Sequence, residues 1–514
     1  MPALIGLDIG TTGAKAVVVD DKGNVLGSAT AEYPLFSPYP LWSEQNPADW
    51  WAGACKAIQS AVKNASLFAR DVVAIGLTGQ MHGAVFLDEE FAVIRPAILW
   101  NDQRTIDECN EINSRIGNTK LIEIAGNPAL TGFQAPKILW LRKNEPENYS
   151  KIRYVLLPKD YIRLLLSGVL ISDASDAAGT LLLDLQKRDW SHEILEKLEI
   201  PVKWLPKVVE GPDLTGALKP SVAQLLGLNP RIPIVGGGGD NAAAAVGTGI
   251  VTEGIVSSSI GTSGVIFAHI DKLKFDSRGR LHTFCHAVPQ KYHLMAVTLS
   301  AGGSFRWIRD LILESACMFD TGTPEILHYD KMTALASTIP AGSEGLYFLP
   351  YLNGERTPHL DPMARGAFVG LTSRHHMGHM IRAVMEGVTY SLRDGIEIMK
   401  SIGIEINQVR VVGGGGKSAL WRQMQADIFN QEIVTLQVEE GPAYGAALLA
   451  GVGVGVFNDV DDAVKKCIKI TGVIQPNPDH RERYERGYSI YTNLYPKLSD
   501  VFREITNSIV SSSM

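Results

Sequence analysis

The sequence predicts an α/β protein built from two related domains that face each other across a cleft, and three observations predict it. At 514 residues the chain is long enough for two domains, each burying its own core. The stretch Asp8-Ile9-Gly10-Thr11-Thr12-Gly13 returns in the second half as Ser259-Ile260-Gly261-Thr262-Ser263-Gly264. Each copy stands between short apolar runs of strand character, 3–7 and 14–19 in the first, 254–258 and 265–268 in the second. Near the midpoint, 234–245 reads as a buried strand, four glycines, one carboxylate (Asp240) and an alanine-rich helix.

The composition, 45% hydrophobic and 20% charged, is that of a globular chain. The 50 glycines cluster after apolar runs, as strand-to-loop ligand turns do. A net charge of -7 supplies no field for nucleic acid or an anionic membrane, which favours a small-molecule site. The five cysteines show no CxxC spacing, so no zinc site is expected and a reducing compartment fits. No basic leader precedes Asp8 and no apolar run approaches the ~18 residues of a membrane span, so a cytoplasmic protein is expected.

The first glycine turn joins strand to strand, with 20–24 as the hairpin that follows. A P-loop leads from strand to helix, so this turn is either an ordinary hairpin or a phosphate cradle of another kind. In the second case backbone N–H groups and the Thr11 and Thr12 hydroxyls hold phosphate oxygens, and Asp8 places a hydrated Mg²⁺. Asn46-Pro47 starts a helix whose Trp50, Ala54, Ile58 and Ala61 share one face. The strand 72–77 ends in Thr78-Gly79-Gln80-Met81-His82-Gly83, which places His82 where it can touch a ligand. Trp100 can wall a sugar and Asn101 and Asp102 can bond hydroxyls, or the same residues open the helix 105–116.

The loop 172–180 carries Asp173 and Asp176 and reads as architectural, without a partner for either carboxylate. For Asp240 two readings stand: a general base held at a cleft by glycines, or a cap for the helix that follows, a role Asn241 can share. The loop 299–304, which includes Gly302, gives another close approach, and Glu355 and Arg356 in 349–358 can brace each other. The turn 413–418 ends Gly416-Lys417-Ser418 but lacks the first Walker glycine; it can instead let an adenine or ribose lie against backbone.

Taken in order, from Asp8-Ile9-Gly10-Thr11-Thr12 through 133–140 to Gly441-Pro442-Ala443, these motifs resemble the FGGY carbohydrate kinases over nearly the whole chain. The resemblance implies the duplicated actin-like (ribonuclease H-like) ATPase fold, closing about a hinge. The domains would be a sugar-binding one at 1–247, a nucleotide-binding one at 248–475, and peripheral helices at 476–514. It implies ATP-dependent phosphorylation of a ketopentose, D-xylulose at its 5-hydroxyl, with Mg²⁺. Asp240 would be the catalytic base, Asp8 would serve the metal and phosphate, and Met81, His82 and Asn241 would meet the sugar beside Trp100 and Asn101. Gly261, Thr262, Gly302, Gly414, Gly415 and Ser418 would line the nucleotide site with Thr11 and Thr12. Relatives that act on glycerol carry an arginine-glutamate pair where this chain has Met81-His82, which disfavours glycerol. A kinase for ribulose or gluconate, and a non-catalytic actin-like ATPase or sugar-binding protein, are the alternatives. Neither nucleic acid nor membrane is expected as partner, and a homodimer is one option for the oligomeric state, which the sequence leaves open.

Overall fold

A computed structural model describes residues 2–319, 328–438 and 440–512. By contact the chain divides into two compact units. Unit 1 holds Met1–Thr252, His269–His293 and Glu440–Lys469; unit 2 holds Glu253–Ala268, Leu294–Glu439 and Ile470–Met514.

The two main sheets have seven strands each, and the twelve that correspond are β1 (Ala3–Ile9), β2 (Gly13–Asp20), β3 (Val25–Glu32), β4 (Val72–Gly79), β5 (Leu214–Ala217), β6 (Pro233–Val235), β7 (Gly254–Ile260), β8 (Gly264–Ile270), β9 (Tyr292–Thr298), β10 (Ile406–Val412), β11 (Glu432–Leu436) and β12 (Ile470–Ile474). The helices used below are α1 (Pro47–Asn64), α2 (Gln134–Asn144), α3 (Pro158–Ser167), α4 (Ala174–Ala178), α5 (Asp240–Thr248), α6 (Gly302–Phe319), α7 (Met377–Ser401), α8 (Ala419–Phe429), α9 (Gly441–Gly453) and α10 (Pro478–Ser512).

In unit 1 the strands run β3-β2-β1-β4-β6-β5, and in unit 2 the same path reads β9-β8-β7-β10-β11-β12. The directions agree as well. β1 is antiparallel to β2 and parallel to β4, as β7 is antiparallel to β8 and parallel to β10. Each sheet ends in an antiparallel pair, β6 with β5 and β11 with β12. The duplication expected from one repeated glycine motif therefore extends along six strands of each sheet; the seventh differs, Gly238–Gly239 beside β4 in the first and His282–Cys285 beside β9 in the second.

The two glycine turns are not identical, however. In the first, Ile9 pairs with Ala14 and leaves 10–13 in the turn; in the second, Ile260 pairs with Gly264 and leaves only 261–263. The closing bonds follow that difference: Gly10 N donates to Gly13 O, whereas Gly261 N donates to Ser263 O.

The unit 1 core lies between β1, β2 and β4 and the helices on them. Asn46 caps α1 through its side chain, and Trp50, Ala54, Ile58 and Ala61 are buried on the expected face. The sequence divides at 247/248, yet α9, far beyond that point, lies with unit 1. A Cβ on Gly6 of β1 would stand 1.7 Å from Ala443 O, so helix backbone rests directly on strand backbone there. Among the described residues no helix is long and apolar enough to cross a membrane.

Candidate active site

Strand ends bring the candidate residues of unit 1 together. Gly238 and Gly239 pair with Thr78 and Gly79 of β4, and β1 lies on the other side of β4, so Asp8 and Asp240 emerge near each other. Asp240 does not cap α5: Gly239 occupies the cap position, and Asp240 is the first helical residue. Its Oδ1 accepts from the backbone N and side-chain Nδ2 of Asn241, at 2.7 and 2.9 Å. Those two bonds lower its pKa, but burial outweighs them and pushes the carboxyl up to about 6. Asp8 is pushed up to about 7 by burial and then by the Asp240 charge, with Lys15 pulling the other way. Asp8 Oδ1 is enclosed without a hydrogen-bond partner among the described residues. An unpartnered oxygen beside a second carboxylate is a fitting place for a hard cation, and magnesium takes few protein ligands. Among the described residues no cluster of three or more acidic, histidine or cysteine side chains could hold a metal alone.

Met81 and His82 stand against the same turn. A Cβ on Gly239 would lie 3.0 Å from Met81 Cγ, which puts the buried methionine directly before Asp240. His82 has φ +69°, a left-handed conformation that costs energy in a side-chain-bearing residue. Its Nδ1–H donates to Gly179 O at 2.6 Å, because a carbonyl oxygen can only accept, and this holds the ring in place. Its carbonyl accepts at 2.9 Å from Nζ of Lys137, which also donates to Gly132 O. Lys137 sits in the buried face of α2, and burial pulls its pKa down to about 7. Phe133 and Phe284 pack on the His82 ring, with centroids 4.9 and 6.0 Å away.

The first glycine turn is locked from several sides. Trp100 Nε1 donates to Thr11 Oγ1 at 2.9 Å, and Thr11 Oγ1 donates to Gln80 Oε1 at 3.2 Å. Gln45 Nε2 holds Thr11 O at 2.7 Å, while Thr12 is exposed. The Thr11 hydroxyl thus ties the turn to Trp100, and Thr12 is the better placed of the two to meet a phosphate. Trp100 is half exposed, and Asn101 Oδ1 is enclosed without a partner among the described residues. Asp102 differs from the expectation: it is fully buried, accepts from Ser43 N at 2.7 Å and pairs with Arg104, which makes it scaffold.

Six of the eight nucleotide candidates meet in unit 2, around a cavity of about 510 Å³, while Thr11 and Thr12 lie in unit 1. Gly261, Thr262, Gly302, Gly414, Gly415 and Ser418 all line it. Gly302 N donates to Gly261 O at 2.8 Å and Ala301 N to Thr262 O at 2.9 Å, which pins the start of α6 to the turn. Ser418 caps α8, its Oγ accepting from Trp421 N. Phe305 and Tyr329 stack, with centroids 5.4 Å apart, and give the cavity an apolar wall. Arg306 stands near the turn, with Nη2 at 3.2 Å from Thr262 Oγ1. An apolar wall at one part and backbone amides with a cation at another suit a base and its phosphates. Glu355 does not simply brace Arg356. It accepts from that residue's backbone N, from Leu299 N and from Thr298 Oγ1, and so orders the strand end that leads to Gly302.

Lys137 and Phe284 escaped the sequence reading. Lys137 carries a signal, a lone cation among apolar residues 135–141, whereas Phe284 carries none, because it comes from beyond the second glycine turn. The loop 172–180 is also richer than expected: Asp173 and Asp176 both face Lys159.

Two copies of one sheet, each with a glycine turn at the end of its first strand, define a duplicated actin-like ATPase fold with a carboxylate pair in one half and a cavity suited to a nucleotide in the other. The chain belongs to the FGGY family of carbohydrate kinases: residues 3–247 match the N-terminal domain of that family and residues 256–454 the C-terminal domain. It is 40% identical over 509 residues to the xylulose kinase of Lactococcus lactis subsp. lactis (strain IL1403), covering 98% of this chain and 99% of that one. It is 43% identical over 449 residues to the xylulose kinase of Escherichia coli (strain K12), covering 87% and 89%. Among solved structures, a ligand-bound xylulose kinase from Lactobacillus acidophilus superposes with a TM-score of 0.91 at 28% identity, covering 98% of this chain and 100% of that chain.

Proposed function

We propose that this protein transfers the γ-phosphoryl group of ATP to the 5-hydroxyl of D-xylulose, with Asp240 as general base. Asp240 takes the hydroxyl proton as that oxygen attacks phosphorus in line; the new O–P bond forms as the bond to ADP breaks. A base with a pKa near 6 is ionised at neutral pH and still basic enough to accept the proton. His82, held by Gly179 and Lys137, orients the sugar beside Met81, with Trp100, Asn101 and Asn241 on its other hydroxyls. Thr12 and the turn carrying Gly261 and Thr262 meet phosphates, and Gly302, Gly414, Gly415 and Ser418 cradle the nucleoside. Asp8 would hold Mg²⁺, which neutralises phosphate charge when bound. The named relatives support the sugar, since both are xylulose kinases matched over most of their length. The reading fits a protein of the cytoplasm and is compatible with a homodimer.

The carrying observation is a carboxylate raised to about 6 directly behind the Met81-His82 pair. The test is ATP consumption with D-xylulose against D-ribulose, L-ribulose, gluconate and glycerol, with Asp240→Asn as background. A dominant D-xylulose signal that vanishes in the variant is expected. Dominance of another sugar refutes the substrate, and wild-type turnover in Asp240→Asn refutes the base.

A further inference from the structure

The turn that carries Asp240 is four glycines, 236–239, which have no side chains to anchor it. Its order must come from hydrogen bonds to its backbone, and a buried ionisable cluster supplies one at each end of it. α3 contributes Lys159, Asp160 and Arg163, and the start of α4 contributes Asp173, Ser175 and Asp176, all of them buried. Lys159 Nζ pairs with Asp160 and reaches Asp173 Oδ2 at 2.9 Å and Asp176 Oδ2 at 3.5 Å. Arg163 holds one end of the turn, donating to Val235 O at 2.7 Å and to Gly236 O. Ser175 holds the other: its Oγ accepts from Gly239 N at 3.0 Å and donates to Asp173 Oδ1. A hydroxyl has one proton, so the direction is fixed: Gly239 N–H to Ser175 O–H to the Asp173 carboxylate, which Lys159 anchors.

We propose that Ser175 is a positioning residue for Asp240, the last link through which the Lys159–Asp173 pair sets where the base stands. The proposal rests on the reading of Asp240 as base. Five buried ionisable groups are a costly way to stabilise a core, which apolar residues of similar volume would fill at least as well. Here they grip the backbone on both sides of the glycine turn, and that is what positioning requires.

The test compares Ser175→Ala, Ser175→Cys and Ser172→Ala by kcat, by KM for D-xylulose and ATP, and by thermal melting. Ser172 lies in the same loop, and its buried Oγ has no hydrogen-bond partner among the described residues, so it controls for packing. For Ser175→Ala kcat is expected to fall about 10- to 100-fold, the scale of a small misplacement of a reacting group, with both KM values nearly unchanged. Ser175→Cys, which keeps a weak donor and acceptor, is expected to fall between alanine and wild type, and Ser172→Ala to match wild type. A wild-type kcat in Ser175→Ala overturns the proposal, as does an equal loss in Ser172→Ala. If Ser175→Ala does not fold, Ser175→Cys decides in its place, and a wild-type kcat there overturns the proposal too. Asp240→Asn, measured alongside, separates the two ideas. If it is inactive while Ser175→Ala is normal, only the positioning fails; if it is active, the reading of Asp240 fails first.

Discussion

Asp240 and Asp8 stand close enough that the charge of one helps to raise the pKa of the other to about 7, although they lie at opposite ends of the first half of the chain. Two neighbouring carboxyls titrate as a pair, so the activity profile reports both. Asp240 must be ionised to accept a proton, and its carboxyl sits at about 6. With Asp8 at about 7 needed ionised as well, turnover is expected to level off above about 7, to fall about tenfold per pH unit from about 7 to about 6, and to fall more steeply below that. In Asp240→Asn the neighbouring charge is gone, and Asp8 is expected to titrate lower than in wild type. Carbon-13 NMR of labelled aspartate carboxyls reads that shift directly; an unmoved Asp8 would show that the two groups do not interact.

The same pair predicts a stability trade. Both carboxyls hold their protons more tightly folded than unfolded, so folding is favoured at low pH and that contribution is lost as pH rises from about 4 through about 7. Above that window the folded protein carries buried negative charge. Asp8→Asn is expected to melt higher than wild type at pH 8, with the difference shrinking toward pH 5. Equal melting temperatures at both pH values would mean that Asp8 is not strained by its site.

The duplicated sheet was legible in the sequence because a glycine turn needs strands on both sides of it, and both copies of the motif show them. The unit 2 candidates were legible for the same reason: Gly261, Thr262, Gly302, Gly414, Gly415 and Ser418 are each part of a turn that ends a strand or starts a helix, and they meet at one cavity. What was not legible depends on pairing at a distance. Asp173 and Asp176 have no countercharge in their own loop, because the cation, Lys159, comes from a helix that looks amphipathic by itself. The place of α9 was hidden likewise, since only the close approach at Gly6 shows which sheet it covers.

Gly179 supports His82 through its carbonyl, and it has no room for a side chain. A Cβ there would lie 2.8 Å from both His82 Nδ1 and Met81 Cε. Gly179→Ala is expected to push both residues off the sugar and to raise KM for D-xylulose about tenfold, the effect of losing roughly one good hydrogen bond. KM for ATP should not move. Lys137→Met leaves the His82 and Gly132 carbonyls without their donor and should show the same split, with a stability loss of about 1–3 kcal/mol. Steady-state kinetics in both substrates checks each variant, and a parallel rise in both KM values would argue against a sugar-side role.

Tyr329 gives the complementary test in unit 2. Its ring stacks on Phe305 along the apolar wall of the cavity and is itself half exposed, so removing it leaves the core of the unit intact. Stacking of a nucleobase on an aromatic ring contributes about 1–3 kcal/mol. Tyr329→Ala is therefore expected to weaken ATP binding about 10-fold or more, while D-xylulose binding is unchanged and melting shifts little. Isothermal titration with a non-hydrolysable ATP analogue reads the affinity without turnover. If the affinity stays at the wild-type value, the base does not lie against this wall, and the glycine turn at 414–415 carries the nucleoside without it.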